Sequence, residues 1–157
     1  AFYPYFYLVG LWTVAHREPA QVSALFLVVA AVVFFSGWIL ARGANMQKYV
    51  FKRDPEKEFM GIIEPEVISD GKRRVLCSGF WGLSRHINYL GEVLMASGLT
   101  LALGYPGAIL AWLYPLYYVL LLSTRQADDD RRCRRKYGEL WEQYEERVPW
   151  RIIPGIF

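Results

Sequence analysis

Residues 76–92, with the sequence LCSGFWGLSRHINYLGE, carry the side chains of this chain that are best suited to chemistry. The segment places Arg85 and His86 next to Asn88 and Tyr89, and a long apolar run follows it at once. Polar side chains are unfavourable where a chain enters a membrane unless they bind something. We therefore interpret the segment as the wall of a cofactor site at the mouth of a membrane helix.

The polar cluster in this segment has three interpretations. His86 as a metal ligand is the weakest, because the neighbouring carboxylate and thiol do not lie at a spacing that metal sites use. The aromatic residues are also typical of the belt at a membrane surface. In the third interpretation Asn88 and Tyr89 form directional hydrogen bonds with a cofactor, and Trp81 provides a stacking surface. Glu92 favours this pocket, since a carboxylate inside a membrane helix normally faces protein or water.

Two further groups of side chains recur at helical spacing. Lys48 and Lys52 lie four residues apart after an apolar run; such a pair either holds phosphates or marks the cytoplasmic end of a membrane helix. In the tail, spacings of three and four predict one helical stripe about 120° wide, made of Arg125, Asp129, Cys133, Lys136, Tyr137, Leu140 and Tyr144. Taken alone, the stripe is more simply explained as a solvated face with i,i+4 ion pairs, and the basic residues at 131–135 as an anchor for anionic lipid.

The composition indicates a membrane protein. The 157 residues are 54% hydrophobic and 17% aromatic, whereas apolar residues and glycine together make up about 45–50% of a soluble domain. The net charge of +3 is modest and its basic residues lie in two blocks, which disfavours nucleic-acid binding. Cys77 and Cys133 fall in segments predicted to be cytosolic, so we expect free thiols.

The apolar runs and the basic residues together predict a topology. Residues 20–41 contain no charge and are long enough to cross about 30 Å of hydrocarbon. The shorter runs 87–103 and 108–122 flank a Gly-Tyr-Pro-Gly turn and predict a helical hairpin. All but one of the eighteen basic residues lie in 42–86 or 124–157, so the positive-inside rule makes both segments cytoplasmic.

We therefore predict an all-α integral membrane protein in four parts. Residues 1–41 hold membrane spans, the first of them truncated, and residues 42–86 form a cytosolic loop and the wall of a cofactor pocket. Residues 87–123 form the membrane hairpin, and residues 124–157 a cytosolic C-terminal helix and tail.

Four separated motifs resemble the membrane sterol reductases, the family of the Δ14-sterol reductases, the lamin B receptor and 7-dehydrocholesterol reductase. They are RGANMQK at 42–48, SGFWGLSRHINYLGE at 78–92, RCRRKYGELW at 132–141 and VPWRIIPGIF at 148–157. The resemblance implies a ten-span enzyme whose C-terminal half is a helical bundle that holds NADPH in a cytosolic pocket. This chain would be that half, with the upstream spans of the same protein as its partner.

The resemblance carries the NADPH contacts of the family onto matching positions here. Together with Arg125 from the helical stripe, the predicted cofactor-binding residues are Lys48, Lys52, Leu76, Trp81, Asn88, Tyr89, Arg125, Asp129, Cys133, Arg134, Arg135, Lys136, Tyr137 and Tyr144. Three positions depart from the family pattern. Lys52 replaces a usual Arg and loses its planar fork, Asp128 stands where the family has Arg, and Glu92 replaces the usual Asp.

The activity implied is NADPH-dependent reduction of a double bond in a sterol ring. An isolated alkene does not accept hydride, so a general acid must protonate it before hydride transfer, and Asp129 is the candidate acid or proton relay. RGAN favours a Δ14 bond, while Phe80-Trp81 and the PGIF ending favour a Δ7 bond; we predict Δ14. The alternatives are an isoprenylcysteine-type membrane methyltransferase, which uses S-adenosylmethionine, and an inactive membrane scaffold. The expected location is the endoplasmic reticulum in a eukaryote or the inner membrane in a bacterium, in a lipid bilayer that also holds the sterol substrate.

Overall fold

The computed structural model describes residues 3–157, with side chains from Leu8 onwards. It is mostly helical, as predicted. The helices are α1 (Tyr3–Ala15), α2 (Ala24–Arg53), α3 (Phe80–Leu83), α4 (Ile87–Ala102), α5 (Leu113–Tyr137) and α6 (Glu139–Arg147), and a 3-10 turn at Ile109–Trp112 precedes α5. Two short strands, β1 (Val67–Ser69) and β2 (Arg74–Leu76), lie between α2 and α3.

Helix α2 is longer than the predicted span and differently placed. It begins at Ala24 rather than residue 20 and continues through RGANMQK to Arg53, so residues 42–53 are helical and not part of a loop. No proline lies between Ala24 and Arg53 to break the helix. The helix ends just before Pro55, which disfavours helical backbone at Asp54. Of the part of the chain that the structure describes, α2 alone is long and apolar enough to cross a membrane by length and composition.

The two strands correct the expectation of an all-α fold. They form an antiparallel hairpin in which Ile68 pairs with Val75. β-branched residues favour strands, and the turn between them is built by Asp70, whose Oδ1 accepts hydrogen bonds from the backbone N–H groups of Lys72 and Arg73. Gly71 supplies the positive φ of 83° that this turn requires.

The C-terminal part is two helices rather than the single tail helix predicted. Helix α5 runs without a break across residues 123 and 124 to Tyr137, where the sequence predicted a boundary between hairpin and tail. Gly138 then takes φ +58° and ends it, because a residue with no Cβ adopts this conformation without strain. Leu140 and Tyr144 therefore lie on α6 and do not continue the α5 stripe.

The chain divides into two compact units, residues 1–38 with 91–123 and residues 39–90 with 124–157. In the first unit, α2 and α4 approach backbone to backbone at two glycines. A Cβ on Gly37 would lie 2.6 Å from the carbonyl oxygen of Gly91, and one on Gly98 would lie 2.7 Å from the nitrogen of Phe34. Small residues permit such close packing between membrane helices.

The second unit holds two buried clusters. One joins α6 to the β-hairpin through Val75, Cys77, Leu140, Trp141, Tyr144 and Val148, and Cys133 and Tyr137 of α5 pack against it. The other joins α2, β2, α3 and the start of α4 through Ala44, Leu76, Trp81 and Ile87. These clusters fix the helices whose polar side chains form the site described next.

Candidate functional site

A cavity of about 350 Å³ lies within the second unit, a volume in the range of small-molecule sites. Ten of the fourteen residues predicted to bind a cofactor line it: Lys48, Lys52, Leu76, Trp81, Asn88, Tyr89, Asp129, Cys133, Tyr137 and Tyr144. They come from α2, β2, α3, α4, α5 and α6, so residues far apart in sequence meet around one space. That they hold a cofactor stays a prediction.

The other four predicted residues, Arg125, Arg134, Arg135 and Lys136, do not line the cavity. Successive helical residues point about 100° apart, so Arg134 and Arg135 turn away from the face that holds Cys133. Lys136 is close to that face, but its Nζ lies 4.8 Å from the centre of the Tyr137 ring and outside the lining. Arg134 instead forms an ion pair with Glu145 of α6 at 2.7 Å. Glu92, which the sequence linked to the pocket, lies in the first unit and is not part of the lining.

Trp81 is fixed by hydrogen bonding and lies under a cation. Its indole Nε1 donates to the carbonyl oxygen of Ala44 at 2.8 Å, and Lys48 Nζ lies 4.3 Å from the centre of the ring system. Gln47 holds the start of α3, because its Oε1 accepts from the backbone N–H of Phe80 and its Nε2 donates to the carbonyl of Ser78. The FWG turn is thus bound to α2 and presents an ordered aromatic surface to the cavity.

Asp129 and Tyr89 form a hydrogen-bonded pair in the cavity wall. The Tyr89 hydroxyl donates to Asp129 Oδ2 at 2.5 Å, a length typical of a hydrogen bond to a carboxylate. Tyr89 is 8% exposed, so the bond is largely shielded from solvent. This pair places a proton and its acceptor at the surface of the cavity, as general acid chemistry requires.

A buried ionic network lies behind this pair. His86 Nε2 lies 2.9 Å from Asp130 Oδ1 and donates to it, and Gln126 donates to Asp130 Oδ2 at 2.8 Å. An Arg85 nitrogen lies 3.6 Å from both Asp130 and Glu145. Burial raises the pKa of the Asp130 carboxyl, but His86, Arg85 and Gln126 lower it by more, so the net pKa is below the ordinary value.

Residues 84–86 bind the C-terminal segment at 148–152. The backbone N–H groups of Arg85 and His86 donate to the carbonyls of residues 150 and 151 at 3.0 and 2.7 Å. The Ser84 hydroxyl donates to the carbonyl of Ile152 at 2.9 Å, and the Arg85 guanidinium donates to those of Val148 and Pro149. The SRH and VPWRI motifs are therefore one structural element, which supports the start of α4.

The cavity lining is strongly positive. Five cationic side chains line it, Lys48, Lys52, Arg74, Arg85 and Arg132, against the single carboxylate of Asp129. The sequence did not assign Arg74 or Arg132 to the site, nor the lining residues Phe51, Val75, Arg85, His86 and Trp141. Two sequence patterns could have indicated these arginines. Alternation along a strand puts Arg74 on the same side as Leu76, and a spacing of three puts Arg132 on the same helical face as Asp129.

Two further groups of the wall, Cys133 and Tyr144, have pKa values above their ordinary values, which favours their neutral forms. Burial raises the pKa of the Cys133 thiol despite the opposing effect of Lys48. Burial also raises the pKa of the Tyr144 phenol, whose hydroxyl donates to the carbonyl of Trp81 at 2.8 Å. Cys133 and Tyr144 therefore contribute surface and hydrogen bonds to the cavity but no charge.

The chain is similar in sequence to known proteins over nearly its whole length. A family model described as "Ergosterol biosynthesis ERG4/ERG24 family" matches residues 1–157. The chain is 38% identical to a Delta(14)-sterol reductase of Arabidopsis thaliana over 97% of its length and 39% of that protein. It is 36% identical to the Delta(14)-sterol reductase TM7SF2 of Mus musculus over 100% of its length and 37% of that protein.

A third relative, a Delta(14)-sterol reductase of Methylotuvimicrobium alcaliphilum, is 35% identical over 96% of the chain and 34% of that protein. The chain thus spans between a third and two fifths of the length of these relatives. By the family match over all its residues and the agreement of its relatives, the chain belongs to the ERG4/ERG24 family of ergosterol biosynthesis.

Proposed function

We propose that this chain is the cofactor-binding part of an NADPH-dependent reductase that acts on a sterol ring double bond, Δ14 in the first instance. The observation that carries the proposal is the cavity in which five cationic side chains and an aromatic wall face one carboxylate. The names of the three relatives reported above, each a Delta(14)-sterol reductase, support the sterol substrate and the position of the bond.

The residues of the cavity fit a phosphorylated dinucleotide. Lys48, Lys52, Arg74 and Arg132 supply the positive charge that several phosphates need. The Trp81 surface suits the stacking of a planar ring, and the half-buried Asn88 offers a side-chain amide. NADPH, when bound, supplies the hydride. This chain's residues bind it, orient it and keep water from its reactive end.

Asp129 and Tyr89 are the groups that we assign to proton transfer. An isolated alkene becomes an acceptor of hydride only when a proton is added to one of its carbons. Asp129 lies at the cavity surface with the Tyr89 hydroxyl bonded to it, so the pair holds a proton where a donor is required. Asp129 either donates its own proton to the alkene or passes on a proton that it receives from the Tyr89 hydroxyl.

We also propose the membrane topology that the sequence predicted. Helix α2 crosses the bilayer, and its exposed apolar side chains, among them Leu25, Val28, Val32 and Phe35, face lipid. Residues 87–123 form a membrane hairpin, and residues 42–86, which include the end of α2, and 124–157 lie in the cytosol with the cavity. The membrane is that of the endoplasmic reticulum in a eukaryote or the inner membrane in a bacterium.

The test is NADPH binding to the purified protein in detergent. Asn88→Ala removes an amide from the cavity wall, and we expect NADPH affinity to fall about tenfold, the effect of one or two hydrogen bonds. Asn45→Ala is the matched control, because Asn45 is exposed on α2 and does not line the cavity. NADH and S-adenosylmethionine are titrated in parallel.

Saturable NADPH binding that weakens in Asn88→Ala and not in Asn45→Ala, followed by reduction of a Δ14 sterol, supports the proposal. Binding of S-adenosylmethionine in place of NADPH contradicts it and favours the methyltransferase. Binding of neither ligand favours a scaffold. Reduction of a Δ7 sterol but not a Δ14 sterol corrects the position of the bond alone.

A further inference from the structure

Two stacked rings near the start of α4 are bonded to two different carboxylates of α5. The rings of His86 and Tyr89 have centroids 5.1 Å apart and planes inclined by 20°. Tyr89 donates to Asp129 at 2.5 Å, and His86 lies 2.9 Å from Asp130. The stacked pair therefore connects the carboxylate that lines the cavity with the carboxylate that is buried behind it.

Asp130 is the fixed end of this connection. It is 7% exposed, and besides His86 it is bonded to Gln126 and lies 3.6 Å from Arg85. It does not belong to the cavity lining. A change at Asp130 thus reaches the cavity through the ring of His86, which does line it.

We infer that His86 and Asp130 are positioning residues, which hold the Tyr89 hydroxyl on Asp129 in the orientation that proton transfer requires. Asp130 fixes the plane of the His86 ring, and that plane limits how the Tyr89 ring can turn. The inference rests on the function proposed above, in which the Tyr89–Asp129 pair handles the proton. A displacement of about 1 Å at such a group can cost 100-fold in rate.

The test reads Tyr89 directly and does not depend on catalysis. The protein carries 3-fluorotyrosine at position 89 alone, and its fluorine resonance is recorded in the unsubstituted chain, in Asp130→Asn and in Asp128→Asn. Asp128→Asn is the matched control, since it removes the same charge only two residues from Asp130. Asp128 is an exposed carboxylate that pairs with Arg131. Asp129→Asn shows how the resonance moves when the direct partner of Tyr89 changes.

We expect Asp130→Asn to shift or broaden the Tyr89 resonance in the way that Asp129→Asn does, while Asp128→Asn leaves it unchanged. In turnover assays Asp130→Asn lowers kcat about 10- to 100-fold, and the Kd for NADPH changes less than about threefold. A role in folding alone would reduce the active fraction and leave the resonance of the folded protein unchanged.

A Tyr89 resonance that is the same in Asp130→Asn and in the unsubstituted chain overturns the inference, whatever the assay gives. If the resonance moves but the unsubstituted protein reduces no sterol, the proposed function fails and the positioning of Tyr89 stands. If Asp130→Asn does not fold, His86→Gln takes its place, because the amide keeps a donor for Asp130 but removes the stacked ring. The same shift is expected there, and its absence overturns the inference.

Discussion

At the scale of single residues, Asp129 and Asp130 show how position assigns a role to a side chain. Both are aspartates on α5, adjacent in sequence. Asp129 reaches the cavity and accepts a hydrogen bond from the hydroxyl of Tyr89. Asp130 is instead buried between His86, Gln126 and Arg85. The first has an environment suited to proton transfer, and the second one suited to holding neighbouring side chains in place.

Asp130→Asn should change how stability depends on pH. The folded pKa of Asp130 lies below its ordinary value of 3.8, so its ionised form stabilises the fold fully above pH 4 to 5, and this contribution is lost as pH falls through the folded pKa. The melting temperature of Asp130→Asn should therefore lie below that of the unsubstituted chain at pH 6. The gap should narrow towards pH 3. A gap that is constant across this range contradicts the assignment, and Asp128→Asn is the control for the loss of one charge.

Cys133 should react slowly with alkylating reagents at neutral pH. Burial raises its pKa above the ordinary 9.0, and only the thiolate reacts. In a Cys77→Ser background, which leaves Cys133 as the one thiol of the sequence, iodoacetamide labelling should accelerate about 50- to 100-fold between pH 7 and pH 9. NADPH should protect Cys133, because the thiol lines the cavity. Rapid labelling at pH 7 that NADPH does not slow would contradict both points.

At the scale of elements, the segment at 84–86 and the C-terminal segment at 148–152 depend on each other. Their backbones are hydrogen bonded, and Arg85 adds two bonds to carbonyl oxygens and two ionic contacts. Since Arg85 is 5% exposed, water cannot replace these partners. The C-terminal residues are thus a structural part of the site wall, although they contribute no residue to the cavity.

Arg85→Lys should loosen this element. Lysine keeps the charge but lacks the planar fork, so we expect a loss of about 1.5–3 kcal/mol in the free energy of unfolding, the value of one hydrogen bond from a charged group. Limited proteolysis should then cleave near residue 150 before the rest of the chain. Arg131→Lys, at an exposed pair with Asp128, should change stability by less than about 0.5 kcal/mol. Equal behaviour of the two variants would rule out this role for Arg85.

The sequence predicted most helices and many residues of the cavity, but not the contacts that define the site. Hydropathy identifies α2 and α4, and the resemblance to the sterol reductases brings Trp81, Tyr89 and Asp129 into one group. The pairing of His86 with Asp130 joins positions 44 residues apart, and nothing in the local pattern distinguishes Asp130 from Asp129. The end of α5 at Gly138 was missed because one glycine is too local a pattern to outweigh the helical periodicity around it. The three-residue strands were missed because so short a β-branched run does not by itself indicate a strand.

At the scale of the whole molecule, hydropathy and charge divide the chain between two environments. Apart from Ser36, the exposed side chains of α2 are apolar from Leu25 to Ile39, whereas its last turn carries Lys52 and Arg53. Exposed apolar surface of this extent is unstable in water and is stable in lipid. In the proposed topology, the positive residues after it lie on the cytoplasmic side.

Single cysteines should report this topology in sealed vesicles, in a background where Cys77 and Cys133 are serine. We expect Val32→Cys to resist a membrane-impermeant maleimide, because its exposed side chain lies in lipid. Lys57→Cys should react from the cytosolic side and Gly107→Cys only from the other side. Labelling of Val32→Cys in intact vesicles, or of positions 57 and 107 from the same side, would contradict the proposed arrangement.

The roles of Asp129 and Asp130 are set by the rotational phase of α5. Successive residues on an α-helix point about 100° apart, so chemistry and support differ here by a single step along the chain. Removal of one residue between positions 124 and 128 would turn the helix by that step. Asp130 would then face the cavity, and Arg131 would take the place of the buried carboxylate that Arg85 and His86 now contact. The length of this helix is therefore as strictly constrained as its composition.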